Sequence, residues 1–403
     1  MIKEIKAREI LDSMGNPTVE VELTTDLGRF LASVPSGTSK GKYEAAELRD
    51  GGVRYRGLGV LNAAKNINEI IAPNLKGKDP VQQKEIDEIM IGLDGTPDKS
   101  RLGANAILGV SLAVCRAGAG QKKIPLWQWI SKMAGTQPSL PVPCILYIEG
   151  GLHGRGSLDV QEVMAFVKAN SFKERLRLGT EFYHALATIL VKKYGKIATN
   201  VGLEGGFSPP IQYLEEALDL LMAAAKKTGN KISIILDVAA STFFQNNQYY
   251  FEGENLEKKE LFNFYLEICK KYPVKALEDP FDQDDWEGWQ GFLPGILRIG
   301  DDLTVTNLER MKLAKEKKAC GGVIVKPNQA GTITETLEAA KYAFKNKWKV
   351  FVKHRSGETK DDFIADLAVG LGCNWIMAGA PVRGERVAKY NRLLKIEKEL
   401  CQN

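Results

Sequence analysis

Between Lys231 and Ala378 one pattern returns five or six times: a short apolar run, a polar residue at its end, then a helical segment. The runs are Ile232 to Leu236 ending in Asp237, Val274 to Leu277 ending in Glu278, Leu297 to Gly300 ending in Asp301, and Val323 to Val325 ending in Lys326. Val350 to Val352 leads into Lys353 and His354, and Trp375 and Ile376 lead into Met377. Spacings of about 22 to 41 residues between these ends suit one strand plus one returning helix, so the strands are expected to lie parallel. Right-handed crossovers of that kind close readily into a barrel.

In a barrel the carboxyl ends of the strands meet at one mouth, which would bring Asp237, Glu278 and Asp301 face to face. Three carboxylates that close together in a partly buried site stay ionised only with a cation between them. Hard oxygen ligands in that number favour Mg²⁺. Singly, each acid reads as a polar strand terminus solvated at a loop; three in consecutive units followed by a lysine read as a metal site.

The amino-terminal stretch has a different period. Val19, Val21 and Leu23 alternate with Glu20, Glu22 and Thr24, between Ile2 to Ile10 and Arg29 to Val34, with turn signals at Gly15-Asn16-Pro17 and Asp26-Leu27-Gly28. That predicts an antiparallel meander. Gly59 to Ile130 then reads as mostly helical, including a small-residue helix around Ala104 to Cys115 suited to close packing on a partner helix. Three prolines between Gly135 and Pro143 mark the expected boundary, giving domains 1–137 and 138–403.

Several segments resemble the signatures of enolase, phosphopyruvate hydratase: LEDPFDQDDW (277 to 286), GDDLTVTN (300 to 307), VKPNQAGT (325 to 332) and HRSGETKDDFIADL (354 to 367). AREILDS (7 to 13), GNPTVEVELTT (15 to 25) and AKYNRLLKIEKEL (388 to 400) extend the likeness along the whole chain, in order. The resemblance implies an α/β fold: a small amino-terminal α+β domain, then a mixed eight-stranded TIM-like barrel. It implies a cytoplasmic lyase of glycolysis and gluconeogenesis, a homodimer that interconverts 2-phosphoglycerate and phosphoenolpyruvate with Mg²⁺, or else a catalytically impaired relative with a binding or structural role. By the same resemblance Lys326 is the general base, its pKa lowered by neighbouring positive charge, and Glu204 the acid. Glu162 and His153 sit at the substrate, His354 lies in the matching loop, and Arg355 and Ser356 grip the phosphate. Ser39, in the loop Ser36 to Gly41, helps hold a second Mg²⁺.

The departures from the family pattern concern the same mouth. Met377 stands where the family has a lysine on the substrate's reacting carboxylate, a loss that typically costs roughly 3 kcal/mol, or about a hundred- to a thousandfold in turnover. Leu203 replaces Asp, Glu149 Asn, Leu152 Ser, Lys353 Ser, Met14 Arg, Lys40 Thr and Thr242 Glu. Lys353, one strand before Met377, offers an ammonium that can reach the same region and partly substitute.

Composition removes other function classes. A net charge of +5 over 403 residues, without a basic block, gives no nucleic-acid footprint. The six cysteines lack C-x-x-C pairs or zinc spacing, as reduced thiols of a cytosolic protein would. No apolar run approaches membrane-spanning length, and Met1-Ile2-Lys3-Glu4 does not open a signal peptide.

Overall fold

Alternation in the amino-terminal stretch buries one face of a sheet. In the computed structural model, which describes residues 1–154, 156–291 and 295–401, β1 (Ile2–Leu11), β2 (Pro17–Thr25) and β3 (Gly28–Ser33) form an antiparallel meander in that order. Val19, Val21 and Leu23 of β2 are fully buried. Helix Ala104–Lys122 lies on that face and also against helices Gln83–Asp94 and Leu126–Ala134. The small residues therefore serve a sheet as well as partner helices: a Cβ on Gly109 would come 2.8 Å from Val21 Cγ2, and one on Gly120 2.7 Å from the Phe30 ring. Each is closer than carbon atoms can pack.

The second unit is a closed barrel. Its strands are β4 (Val142–Glu149), β5 (Glu162–Val167) and β6 (Ile232–Asp237), then β10 (Val274–Glu278), β11 (Leu297–Gly300), β12 (Gly322–Val325), β13 (Lys349–Lys353) and β14 (Trp375–Met377). A small side sheet, β7 (Phe244–Gln245), β8 (Gln248–Phe251) and β9 (Glu254–Leu256), interrupts the series. The order around the barrel is β10-β11-β12-β13-β14-β4-β5-β6. Every apolar run singled out in the sequence is a barrel strand. All neighbouring pairs are parallel except those of β5, which runs antiparallel to both β4 and β6. That reversal matters for the site: the first residue of β5, Glu162, lies at the mouth where the other strands end, paired with Asp237, which in turn pairs with Glu278. Lys353 pairs with Met377 at the same level.

The two units are joined at the mouth. Ser36 and Gly357 exchange backbone hydrogen bonds of 2.7 and 2.8 Å. Arg116 donates to both oxygens of Asp361, at 2.6 and 2.9 Å, and the Ser33 N–H donates to the same carboxylate. Helix Leu126–Ala134 packs on helix Phe363–Leu371. All six cysteines are free, and no helix among the described residues is long and apolar enough to cross a membrane.

Candidate active site

The acids that end β6 and β10 and the one that follows β11 do converge. Asp237, Glu278 and Asp301 are buried, with carboxylate oxygens within 4.8 Å of one another, a set that could hold a metal ion. The structure also shows a cation already among them. Lys353 Nζ donates to Asp237 Oδ2 at 2.6 Å and to Glu278 Oε1 at 2.7 Å, and lies 2.9 Å from Glu162 Oε1. Its three acid neighbours hold the ammonium well above its usual range, against the burial that presses it down. The cation that clustered carboxylates need is here a side chain of the chain itself.

The remaining oxygens are largely spoken for. Asp237 Oδ1 accepts from the Ala239 N–H, and Asp237 Oδ2 also from Gln161 Nε2. Asp301 accepts from Gln329 Nε2 on one oxygen and from Lys326 Nζ on the other. Glu278 Oε2 and Glu162 Oε2 are buried without a partner. Burial pushes both carboxyls up, Glu162 to about 8, against the pull of Lys353. Mg²⁺ requires near-octahedral oxygens at about 2.1 Å. Bound to the oxygens that Lys353 holds, it would lie within a few ångströms of the ammonium. The residues as they stand do not accommodate it.

Lys326, directly after β12, forms an ion pair with Asp301. Burial, Arg355 and Lys353 press its pKa down, but Asp301 outweighs them and the ammonium is held above its usual range. This is opposite to the lowering expected of a base beside metal ions. Across the mouth, Glu204 lies 3.5 Å from His153 Nδ1 and 3.3 Å from His354 Nε2. Burial pushes this carboxyl up, but His354, His153 and Arg386 together draw it well below the usual range. Arg386 Nη1 donates to His354 Nδ1 at 2.5 Å, which leaves the imidazole proton on Nε2, facing Glu204. Burial pushes His354 down to about 4, so it is neutral. The ammonium at Lys326 and the carboxylate at Glu204 are each in the protonation state opposite to the one that dehydration needs at its start.

Two departures compensate each other. Glu149, at the end of β4, accepts from the Glu204 N–H at 2.8 Å and from the Gly206 N–H at 3.0 Å. The loop that lost an Asp at Leu203 is thus held by a carboxylate from the neighbouring strand. A Cβ on Gly202 would lie 2.7 Å from Glu149 Oε2, so the loop passes this close only with glycine there. Leu152 is exposed, and Lys40 turns to Glu47 at 2.6 Å.

The expected phosphate pair is occupied by the chain itself. Arg355 donates to Glu44 Oε2 and to the Ser39 carbonyl, both at 2.8 Å. The Thr38 N–H donates to Ser356 Oγ at 2.7 Å, and Ser39 Oγ lies 3.2 Å from His153 Nε2. The 36–44 loop is therefore folded down on the mouth. Met377, beside Lys353, is fully buried and brings no donor. Backbone strain gathers in the same region, with positive φ at Ala239, Asp279, Val305 and Thr306.

Sequence reasoning missed Arg386 and Lys389. Arg386, fully buried in helix Gly384–Cys401, also donates to the Leu203 and Ser356 carbonyls, tying two mouth loops and His354 to one guanidinium. Lys389 donates to Glu358 Oε2 and the Thr359 carbonyl. Both stand on the stripe that continues through Leu393 and Ile396; cations on a core-facing stripe were the readable signal.

Comparison with protein families agrees with this architecture. The family model described as "Enolase, C-terminal TIM barrel domain" matches residues 137–403, and "Enolase, N-terminal domain" matches residues 2–130. With an amino-terminal meander, a barrel reversed at β5 and both models covering nearly its whole length, the chain belongs to the enolase family.

Proposed function

We propose that this enolase-type lyase site carries out the reversible dehydration of 2-phosphoglycerate to phosphoenolpyruvate, and that it does so slowly. The observation that supports this most is the survival of base, acid and phosphate contacts at one mouth: Lys326 on one side, Glu204 with His153 and His354 on the other, Arg355 and Ser356 at the rim. For dehydration Lys326 must first shed its proton and Glu204 must gain one; Lys326 then takes the proton from the carbon beside the carboxylate, and Glu204 gives its proton to the departing hydroxide, which leaves as water. Arg355 suits phosphate because its fork offers parallel donors, once the 36–44 loop releases it. Family members use Mg²⁺ to carry positive charge to the reacting carboxylate. That ion does not fit beside Lys353. With Met377 in place of a donor, turnover is expected to fall by about a hundred- to a thousandfold. Assembly as a homodimer and a cytoplasmic setting belong to the same reading; sedimentation at micromolar concentration checks the first.

A specific observation favours a second reading, a catalytically silent member kept for binding: the ammonium of Lys353 is taken up by three acids of the protein itself. A steady-state assay following phosphoenolpyruvate formation from 2-phosphoglycerate separates the two. Weak, saturable turnover supports the first, and none at high enzyme concentration supports the second.

A further inference from the structure

The cation position of the acid cluster carries a consequence independent of turnover. Lys353 leaves the end of β13, and its ammonium comes within 2.9 Å of three carboxylates from three other strands, β5, β6 and β10. The side chain is almost wholly buried, as are Glu162, Asp237 and Glu278. A second lysine, Lys326, occupies Asp301. Asp237, Glu278 and Asp301, the three acids placed to hold a metal here, are thereby each paired with a cation that cannot leave the chain.

We infer that Lys353 is a tethered replacement for the metal ion of this site, so that the chain folds, keeps its acid cluster together and binds its ligand without any divalent cation. Four acids, Glu162, Asp237, Glu278 and Asp301, face two ammonium groups. A dication placed among the same oxygens would meet both lysines at short range in a buried setting, where like charges repel strongly. Removing a lysine would reverse the balance: uncompensated buried carboxylates destabilise the fold until a cation enters. An ammonium also differs from a metal in what it offers a ligand. A bound Mg²⁺ keeps open positions for substrate oxygens, whereas Lys353 has three N–H groups, two of them donated to Asp237 and Glu278 while Glu162 takes the remaining side. The tethered cation holds the cluster but has little left with which to draw charge from a reacting carboxylate.

The test uses the full chain, with Mg²⁺ and Mn²⁺ as probes and no measurement of activity. For the wild-type protein, the melting temperature is expected to stay unchanged on adding millimolar Mg²⁺, and the electron paramagnetic resonance signal of free Mn²⁺ to stay undiminished. Lys353→Ser should melt several degrees lower without metal, recover with Mg²⁺, and bind one Mn²⁺ per chain. If that variant fails to fold, Lys353→Ser combined with Glu162→Gln removes the ammonium together with one of its acids and leaves Asp237, Glu278 and Asp301 intact; it too should bind Mn²⁺. One Mn²⁺ bound per wild-type chain and lost in Asp237→Asn would overturn the inference. So would a folded Lys353→Ser, or a folded double variant, that binds no Mn²⁺. Absence of turnover would remove the slow-lyase reading and leave this one standing.

Discussion

At the scale of single residues, Lys353 and Met377 have to be considered together, because they are paired neighbours on β13 and β14. Met377→Lys alone would bury a second ammonium beside the first, so it is expected to lower stability and raise kcat by less than about tenfold. Combined with Lys353→Ser and assayed in Mg²⁺, the same change should raise kcat by about two orders of magnitude, the worth of one transition-state donor. A large gain from Met377→Lys alone would show that Lys353 is no obstacle. Glu149 gives a second residue-scale expectation. Glu149→Ala leaves the Glu204 and Gly206 N–H groups without their acceptor and should cost about 1–3 kcal/mol in denaturant unfolding. That Asp237, Glu278, Asp301 and Lys326 would meet was legible because each ends a strand-like run. That Lys353 would fill the gap among them was not. The direction of a long side chain depends on what lies across the barrel, and the sequence shows only that a serine position has become a lysine. The trade between Glu149 and Leu203 was hidden for the same reason, since two separate departures become one compensation only when β4 and the 202–206 loop are side by side.

The element that decides access is the 36–44 loop, in which the family likeness singled out Ser39. In the structure it lies against Arg355, and a Cβ on Gly37 would fall 1.8 Å from Arg355 Nη2. Gly37→Ala must therefore push the guanidinium from its partners. Those partners compete with the phosphate for Arg355, so loss of a charge-assisted bond of roughly 1.5–3 kcal/mol predicts a KM for a phosphorylated substrate lowered about tenfold or more. The loop should also become easier to cleave by limited proteolysis. An unchanged KM with an unchanged cleavage pattern would show that Arg355 is not held by this loop in solution. The family likeness anticipated a mixed barrel, but not that β5 is the strand that reverses. Its apolar run looks like any other, and strand direction is not written in a period of two. Yet the reversal is what brings Glu162 to the mouth as a neighbour of Lys353.

For the whole molecule, the amino-terminal unit is fastened to the barrel by Arg116 of helix Ala104–Lys122 and Asp361, a pair the sequence does not reveal because its members lie far apart in the chain. Burial pushes Asp361 up, but Arg116 outweighs it and holds the carboxyl below its ordinary value. Since the folded pKa is the lower one, the stabilisation is fully present above the unfolded value of about 3.9 and is lost as pH falls through the folded value. Asp361→Asn should cost roughly 1.5–3 kcal/mol near neutral pH, because it leaves Arg116 only Asp362, at 3.3 Å, and the Leu31 carbonyl, at 2.7 Å. Below about pH 4 its stability should approach that of the wild type, as urea unfolding over that range would show. Both units were legible in outline from their two hydrophobic periods; how they are joined was not. Whether this enolase-family site uses its own lysine as its cation is tested by assaying 2-phosphoglycerate turnover with excess Mg²⁺ and again with excess chelator. Weak activity, equal in both, is expected. Rapid turnover that needs Mg²⁺ and vanishes with the chelator would contradict it.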